Sequence, residues 1–186
     1  MGETGGYSPI GKIRITYTGP VPCEYRGHLT QREFNRIVRD AWQPVGAYWH
    51  DHLHDKHFSQ AGAREYGYQP RKGETGNPDP YGFWASYSGE KQKRLGHHNP
   101  NVLSGELQMF SQVYRVVATA TSKGSEARIV LPRAQKANLL GRYSKVNMRA
   151  ELTTVSAQEA PAVVEIHNRA VEAALRQITT VTTKEF

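Results

Sequence analysis

The stretch Thr30-Gln31-Arg32-Glu33 decides the fold, because it fixes where the first long helix begins. A threonine followed three residues later by a glutamate is a capping box. The hydroxyl of Thr30 accepts a hydrogen bond from the amide of Glu33, and the carboxylate bonds back to the amide of Thr30. Apolar residues follow at helical spacing, so the pattern predicts a helix over 30–57. Pro44 lies inside this helix and should kink it, because proline removes one backbone hydrogen bond.

Patterns on either side of this helix predict the remaining elements. Residues 12–18 alternate polar and apolar side chains, which is typical of a half-buried strand. The segment 107–155 is rich in β-branched residues and contains a turn, so it is predicted to form antiparallel strands. A second capping box, Ser156-Ala157-Gln158-Glu159, opens a helix over 157–178. Together these elements predict an α+β fold in a single domain, 1–186, with a small antiparallel sheet packed against the long kinked N-terminal helix and the C-terminal helix.

Residues 59–104 have a different composition. Glycine, proline, tyrosine and basic residues dominate this stretch, and no helical or strand period is sustained. The pattern predicts a long Gly/Pro/Tyr-rich loop. Long loops without secondary structure are uncommon in compact domains and are usually functional or disordered. We therefore expect the chain to make its main contacts with other molecules through this loop.

Histidines are concentrated in the stretch His50-Asp51-His52-Leu53-His54-Asp55-Lys56-His57. On a helix, His50, His54 and His57 project to one side, and the first two have the i, i+4 spacing of helical zinc ligands. Asp51 stands where a zinc protease carries its general-base glutamate, and the shorter side chain would not reach the same position. Two interpretations remain open: a weak metal site, or ordinary surface and core histidines. We expect no enzyme activity and no cofactor.

Basic and aromatic residues alternate in the predicted loop. Cations neutralise phosphates and aromatic rings stack on bases, so a nucleic-acid-binding module is one functional interpretation. The net charge of +7 favours an acidic partner. The same residue types are also favoured at contacts between protein subunits. The residues expected to face DNA or a neighbouring subunit are Arg64, Tyr66, Tyr68, Arg71, Lys72, Tyr81, Phe83, Trp84, Tyr87, Lys91, Lys93, Arg94 and His97.

Composition argues against several classes of protein. The single cysteine, Cys23, excludes an internal disulfide framework. The first residues carry no basic segment followed by an apolar run, so no secretory signal is expected. No stretch approaches the roughly 20 apolar residues that a membrane-spanning helix requires, so we expect no membrane partner.

Short motifs stand at both ends of the predicted loop and inside it: Ala63-Arg64-Glu65-Tyr66-Gly67-Tyr68-Gln69-Pro70-Arg71, then Tyr87, Lys91 and Gly96-His97, then Asn99-Pro100-Asn101-Val102-Leu103-Ser104-Gly105-Glu106-Leu107. The last motif has a proline, an apolar pair, Ser-Gly and a leucine that leads into a predicted strand. With the order of elements over 28–178, these motifs resemble the virion-morphogenesis and tail-completion (neck) proteins of tailed bacteriophages. Asn101 departs from the family pattern, in which that position is usually apolar.

The resemblance implies a structural protein of the virion, made in the cytoplasm of the host bacterium and without catalytic activity. It implies a tail-completion or neck subunit that joins head and tail as part of an oligomeric ring. The implied partners are further copies of the chain, neighbouring connector and tail proteins, and packaged DNA through contacts that do not read sequence. A nucleic-acid-binding module outside a virion is the alternative.

Overall fold

The computed structural model describes residues 12–15, 29–101, 105–133 and 147–184. They form helices and a small antiparallel sheet, which confirms the predicted α+β class. Where a single domain was predicted, the chain divides into two compact units. The sheet unit lies within Met1–Asp51, Arg115–Val130 and Thr153–Phe186, and the middle unit lies within His52–Tyr114 and Leu131–Leu152.

The sheet unit is built on three strands. They are β1 (Lys12–Ile15), β2 (Arg115–Thr121) and β3 (Gly124–Val130). Their order is β1-β3-β2, and both neighbouring pairs are antiparallel. Thr121 pairs with Gly124, so β2 and β3 form a hairpin closed by a two-residue turn. Of the predicted first strand, residues 16–18 lie outside the described part of the chain.

Helix α1, Gln31–Asp40, begins at the predicted capping box. The amide of Glu33 donates to Thr30 Oγ1 at 3.2 Å, and the amide of Thr30 donates to Glu33 Oε2 at 2.8 Å. The amide of Thr30 and its hydroxyl, which lies 2.7 Å from Glu33 Oε2, both donate to this carboxylate, and they lower the pKa of Glu33 below its ordinary value because they favour the ionised form. This local signal was therefore sufficient to place the helix start.

Helix α2, Trp42–Tyr48, follows after a break at Ala41. Pro44 occupies the third position of α2. A proline ring clashes with the carbonyl four residues earlier, here that of Asp40, which is why α1 ends at this residue. The bend predicted at Pro44 is thus a division between two short helices. Beyond α2 the predicted helix does not continue in α-form: Trp49–Leu53 is a π-helical turn and His54–Phe58 is a 3-10 helix.

Helix α7, Ala160–Lys184, is the C-terminal helix of the sheet unit. It begins three residues later than predicted, because the amide of Ser156 donates to Glu159 Oε2 at 3.0 Å and closes a separate turn. Pro161 then falls in the first turn, where its missing N–H costs nothing. The helix also extends beyond the predicted end at 178. A buried apolar cluster joins α7 to α1: Phe34, Val38, Ala41, Val171 and Leu175.

The middle unit corrects two predictions. First, short helices replace the loop that was predicted over 59–104. Second, strands were predicted throughout 107–155, but only the β2–β3 hairpin is strand among the described residues, and one short helix precedes it and another follows it. The helices are α3 (Gln60–Glu65), a 3-10 turn (Phe83–Ala85), α4 (Tyr87–Leu95), α5 (Glu106–Ser111) and α6 (Met148–Leu152).

These helices were missed because they are too short to show apolar periodicity. Their ends are instead fixed by polar caps. The hydroxyl of Ser59 accepts from the amide of Gly62 at the start of α3, and the hydroxyl of Ser86 accepts from the amide of Gly89 at the start of α4. Gly96 ends α4 in a left-handed conformation with φ of 70°.

Candidate macromolecular interface

A largely buried ion pair links the predicted loop to α6 inside the middle unit. Arg71 Nη1 donates to Glu151 Oε1 at 2.9 Å, and Arg71 Nη2 donates to Glu151 Oε2 at 2.6 Å. Each side chain is 11% exposed. Bidentate pairing of a guanidinium with a carboxylate fixes orientation as well as distance. Arg71 therefore has a structural role in the interior, which corrects its predicted place on a surface that faces DNA.

Further hydrogen bonds surround this pair. Arg71 Nη1 also donates to Gln69 O at 2.7 Å, and Arg71 Nη2 donates to Asn101 Oδ1 at 3.2 Å. Burial acts to lower the pKa of Arg71, but the hydrogen bonds and charge of Glu151 outweigh it, so the pKa is raised. Asn101 has φ of 58°, a left-handed conformation that asparagine adopts more readily than apolar residues do. This explains why it departs from the apolar residue that the resemblance led us to expect.

Tyr66 and Tyr68 pack on His57 in the same unit. The rings of His57 and Tyr66 are stacked, with centroids 4.1 Å apart. The hydroxyl of Tyr68 lies 2.5 Å from His57 Nδ1 and donates to Glu151 O at 2.8 Å. Because that hydroxyl has one hydrogen, His57 Nδ1 must carry a proton and donate to it. Tyr68 therefore links His57 to the backbone of Glu151, and both tyrosines are half-buried. Their predicted role as contact residues stays a prediction.

Ser111, His54 and Asp55 are arranged like a catalytic triad, which the sequence did not indicate. Ser111 Oγ lies 2.7 Å from His54 Nε2, and His54 Nδ1 lies 3.0 Å from Asp55 Oδ1. However, Ser111 and His54 are fully buried. The hydroxyl of Ser111 donates its one hydrogen to Gln108 O at 2.9 Å, so it accepts a hydrogen bond from His54 Nε2 and does not donate one to it, as a nucleophile activated by a histidine would. The hydrogen bond from His54 to Ser111 holds α5 against the 3-10 helix, and Ser111 is not placed to act as a nucleophile.

The histidines proposed as weak metal ligands have other surroundings. His50 lies in the sheet unit, where its Nδ1 is 2.8 Å from Asp51 Oδ1. His54 and His57 are buried in the middle unit, and the contacts described above engage both ring nitrogens of His54. In the part of the chain that the structure describes, no group of three or more His, Cys, Asp or Glu side chains is placed to hold a metal ion.

Lys91 is also an interior residue of the middle unit. Its ammonium donates to Asn99 O and lies 5.6 Å from the centroid of the Tyr87 ring. Burial, with a smaller contribution from the charge of Arg71, lowers the pKa of Lys91 to about 8. A buried amine with this environment cannot serve as the phosphate-facing cation that the sequence predicted.

Three aromatic side chains are exposed on the segment that leads into α4. Tyr81 is 85% exposed, Trp84 is 58% exposed and Tyr87 is 49% exposed. We call these three residues the aromatic platform. Large aromatic side chains normally gain free energy by burial, so exposure of several together marks a contact surface. Phe83, which lies between them, is half-buried and packs edge-on against Trp84 with centroids 5.1 Å apart.

The backbone that carries Tyr81 is fixed by Asp79. The buried carboxylate of Asp79 accepts from the amide of Tyr81 at 2.9 Å and pairs with Lys72 Nζ at 3.0 Å. The backbone hydrogen bond to Tyr81 and then the bond to Lys72 lower the pKa of Asp79. The amide of Gly82 donates to Asp79 O at 2.9 Å and closes the turn. Lys72 thus neutralises this carboxylate while its own side chain remains 59% exposed, so its predicted contact with DNA or a neighbouring subunit stays a prediction.

The backbone that carries Trp84 and Tyr87 is packed without spare room. A Cβ atom on Gly89 would lie 2.0 Å from Phe83 O, and one on Gly73 would lie 1.9 Å from Ser86 Oγ. Both glycines are therefore required for close approach of backbone segments. Together with the cap at Ser86, these contacts hold the platform on a defined scaffold.

Cations remain on the exposed side of α4. Lys93 and Arg94 are exposed in its last turn, and Lys93 Nζ lies 3.9 Å from Glu90 Oε2, a loose contact. Arg64 is exposed at the end of α3. His97 is half-buried, and its Nδ1 accepts from the amide of Asn99 at 3.3 Å.

The structure thus divides the predicted contact residues by exposure. Seven are exposed: Arg64, Lys72, Tyr81, Trp84, Tyr87, Lys93 and Arg94. Five are half-buried, namely Tyr66, Tyr68, Arg71, Phe83 and His97, and Lys91 is buried. Sequence reasoning missed the partners Asp79, Glu151 and Ser111. Glu151 and Ser111 lie far along the chain from Arg71 and His54, the residues that they bind, so no local signal could identify them. Asp79 had one signal, its place in an Asn-Pro-Asp-Pro turn sequence.

None of the helices among the described residues has the length and apolar character needed to cross a membrane. No protein-family model, no curated protein and no solved structure matches the chain.

Proposed function

We propose that this chain is a structural subunit of a tailed-bacteriophage particle, which helps to join head and tail as part of an oligomeric ring. It acts by contact and not by catalysis. The observation that supports this role is the aromatic platform, because its three exposed rings stand on a scaffold held by Asp79, Ser86 and two tightly packed glycines.

A rigid contact surface suits an assembly protein. Binding through side chains that are already ordered avoids much of the entropy cost of fixing a flexible loop. Tyr and Trp are the residues that most often dominate the binding energy of such contacts. The phage assignment comes from the resemblance of the motifs in 63–71 and 99–107, and the platform is the surface through which the chain would contact another macromolecule in the particle.

The platform's role is tested in the phage that encodes the chain. Exchanging Tyr81 and Trp84 for serine together should lower the yield of infectious particles and leave heads and tails unjoined in electron micrographs. The matched control exchanges Met109 and Val113 for serine, because these are exposed apolar residues of the same unit outside the platform. Equal yields from both double variants would contradict the contact role of the platform.

The assembly role has a second, independent test. Purified chain examined by size-exclusion chromatography with light scattering should form a closed oligomer of fixed mass. Mass spectrometry of purified particles should find the chain in the virion, and its gene should stand beside portal, capsid and tail-tube genes. A chain that remains monomeric at every concentration and is absent from particles would end the proposal.

A further inference from the structure

We propose that strand β2 pairs with β2 of a second copy of the chain, so that two three-stranded sheets join edge to edge about a two-fold axis. The inference goes beyond the proposed function, because it concerns the free chain and uses only residues of the sheet unit. Three observations support it: the open edge of β2, the half-buried residues along that edge, and the fit of the strand to itself.

Strand β2 is an edge of the sheet. The order β1-β3-β2 leaves one side of β2 without a neighbouring strand, and no backbone group elsewhere among the described residues bonds to it. Hydrogen-bonded and non-bonded pairs alternate along an antiparallel ladder, and the pair that flanks a two-residue turn, here Thr121 with Gly124, is a bonded one. The N–H and C=O groups of Val116, Ala118 and Ala120 therefore point away from β3.

This edge lacks the features that usually protect an edge strand. Such strands are commonly short, charged, bulged or interrupted by proline. Strand β2 has seven residues, pairs with β3 without interruption, and contains one charged residue, Arg115, at its first position. Strand β1, the other edge, has four residues, of which Lys12 and Arg14 are charged. Of the two edges, β2 is therefore the one suited to take a further strand.

The inner face of the sheet is less well covered at β2 than at β3. Ala120 packs against the cluster that joins α1 to α7, so its side of the sheet is the inner one. Three residues of β3 on this side are buried: Ser125, Ala127 and Ile129. Their partners Ala120, Ala118 and Val116 on β2 are only half-buried. A further strand beside β2 would extend this face and cover its apolar side chains.

Strand β2 is complementary to itself in one register. With the two-fold axis at Ala118, Val116 lies opposite Ala120 of the second copy, and every outward N–H and C=O of these three residues meets a partner. Moving the axis to a neighbouring residue places one of the three opposite a residue outside β2. In the centred register Arg115 lies opposite Thr121 of the second copy, so the two arginines stand at opposite ends of the contact and do not repel each other.

The chemistry of an open strand edge identifies the partner as a polypeptide. Outward N–H and C=O groups at strand spacing are matched by another extended backbone, which is the basis of strand addition. A second copy supplies a strand of the same length with no like charge opposed, and two-fold pairs are the commonest oligomers. A two-fold contact closes on itself and does not propagate into a ring, so the pair is the form of the chain before it enters a particle.

Cysteine cross-linking tests the register. In the proposed pair Val117 lies opposite Thr119 of the second copy, in a non-bonded pair whose Cα atoms are about 4.5 Å apart. A disulfide spans this distance. With Cys23, the one cysteine of the chain, replaced by serine, a mixture of Val117→Cys and Thr119→Cys chains should give a cross-linked dimer under mild oxidation. Neither variant alone should do so, because residues of the same number are diagonal neighbours about 7–8 Å apart, beyond the reach of a disulfide.

A proline at Ala118 tests the pairing itself. Because the N–H of Ala118 points away from β3, the chain's own sheet tolerates proline there, and each copy loses a donor to the other. Light scattering should give twice the mass of one chain for the unchanged protein, and Ala118→Pro should weaken the dimer by at least about 10-fold. Circular dichroism checks that the variant is folded. Thr119→Ser, on the same strand, is the control and should leave the dimer unchanged.

Several results would overturn the inference. They are an unchanged chain that stays monomeric at the concentrations used for cross-linking, equal cross-linking of the separate cysteine variants and of their mixture, or a folded Ala118→Pro variant that dimerises as well as the unchanged chain. The cross-linking result decides the matter if Ala118→Pro does not fold. Loss of the dimer in the double variant of Tyr81 and Trp84, and not in Ala118→Pro, would assign the contact to the aromatic platform instead.

The fate of this inference is separable from that of the proposed function. A chain that is found in particles but is monomeric when free would remove the β2 pair and leave the proposed function standing. A chain that cross-links through β2 and is absent from particles would do the reverse.

Discussion

Replacing Arg71 by methionine should open the middle unit, because it leaves Glu151 as a buried carboxylate without its partner. The guanidinium makes two charged bonds to that carboxylate and two further bonds to Gln69 O and Asn101 Oδ1. Removing one member of a buried ion pair costs about 3–5 kcal/mol, since the other charge remains desolvated. This is comparable with the whole stability of a small domain.

Hydrogen exchange measured by mass spectrometry gives the local readout. Amides of α3 and α4 should be protected in the unchanged chain, and in the Arg71→Met variant they should exchange at least about 100-fold faster, since each 1.4 kcal/mol corresponds to a factor of ten. The double variant Arg71→Met with Glu151→Met should recover much of the protection, because an apolar pair removes the isolated charge.

An exposed pair provides the matched control. Arg169 on α7 pairs with Glu165 one helical turn earlier, and both side chains are mostly exposed. Arg169→Met should cost about 0.5 kcal/mol or less. Equal effects of the two arginine substitutions would refute the structural role of Arg71. Amides of 60–95 that exchange like an unstructured peptide in the unchanged chain would refute the folded middle unit itself.

Three further predictions concern stability. Lys91 has a pKa of about 8 in the folded chain, below its ordinary 10.5. The unfolded chain therefore binds more protons between these pH values, and the free energy of unfolding of the middle unit should rise by roughly 3 kcal/mol as pH rises from about 8 to 10.5. Urea unfolding should show this gain in the unchanged chain and not in Lys91→Met, and the same pH profile in both would contradict it. Burial lowers the pKa of His167 despite its hydrogen bond to Val38 O. The sheet unit should therefore lose stability as pH falls below about 6.5, the ordinary pKa of histidine. Trp42 lies beside His167, so its fluorescence should change over this pH range, and fluorescence that stays constant would count against the prediction. Gly89→Ala should destabilise α4, because the new Cβ would collide with Phe83 O, even though alanine has a helix propensity about 1 kcal/mol better than glycine. Thermal melts followed by circular dichroism should show this loss, and Lys93→Ala on the same helix should leave the melting temperature unchanged. A stabilised Gly89→Ala variant would disprove the close contact.

The sheet unit was largely predictable because its signals are local and long. The Thr30–Glu33 capping box placed the start of α1, and apolar spacing marked the faces of α1 and α7 that meet in the core. Pro44 correctly marked a bend. The break itself lies at Ala41, because the proline ring clashes with the carbonyl four residues earlier, and placing the bend at Pro44 itself missed that offset.

The middle unit was not predictable by the same reasoning. Its helices are five to nine residues long, which is too short for apolar periodicity to be recognised. It is held by pairs far apart in the sequence, such as Arg71 with Glu151 and His54 with Ser111. Glycines were taken as a sign of a loop, yet a side chain at Gly73 or Gly89 would collide with neighbouring atoms. Composition alone cannot separate these two uses of glycine.

Composition is ambiguous for charged residues too, because a count of cations does not say which of them are on the surface and able to bind a partner. A count of cations in 59–104 suggested an extended basic surface, but Lys91 is buried, Arg71 is largely enclosed by its pair with Glu151, and the exposed Lys72 is paired with Asp79. What remains on the surface is a short segment in which exposed rings outnumber unpaired cations. A contact made there should depend more on burial of the rings than on pairing of charges, so it should be only weakly sensitive to salt. This is the behaviour expected of the macromolecular contact proposed above, in which a neighbour in the particle covers the rings.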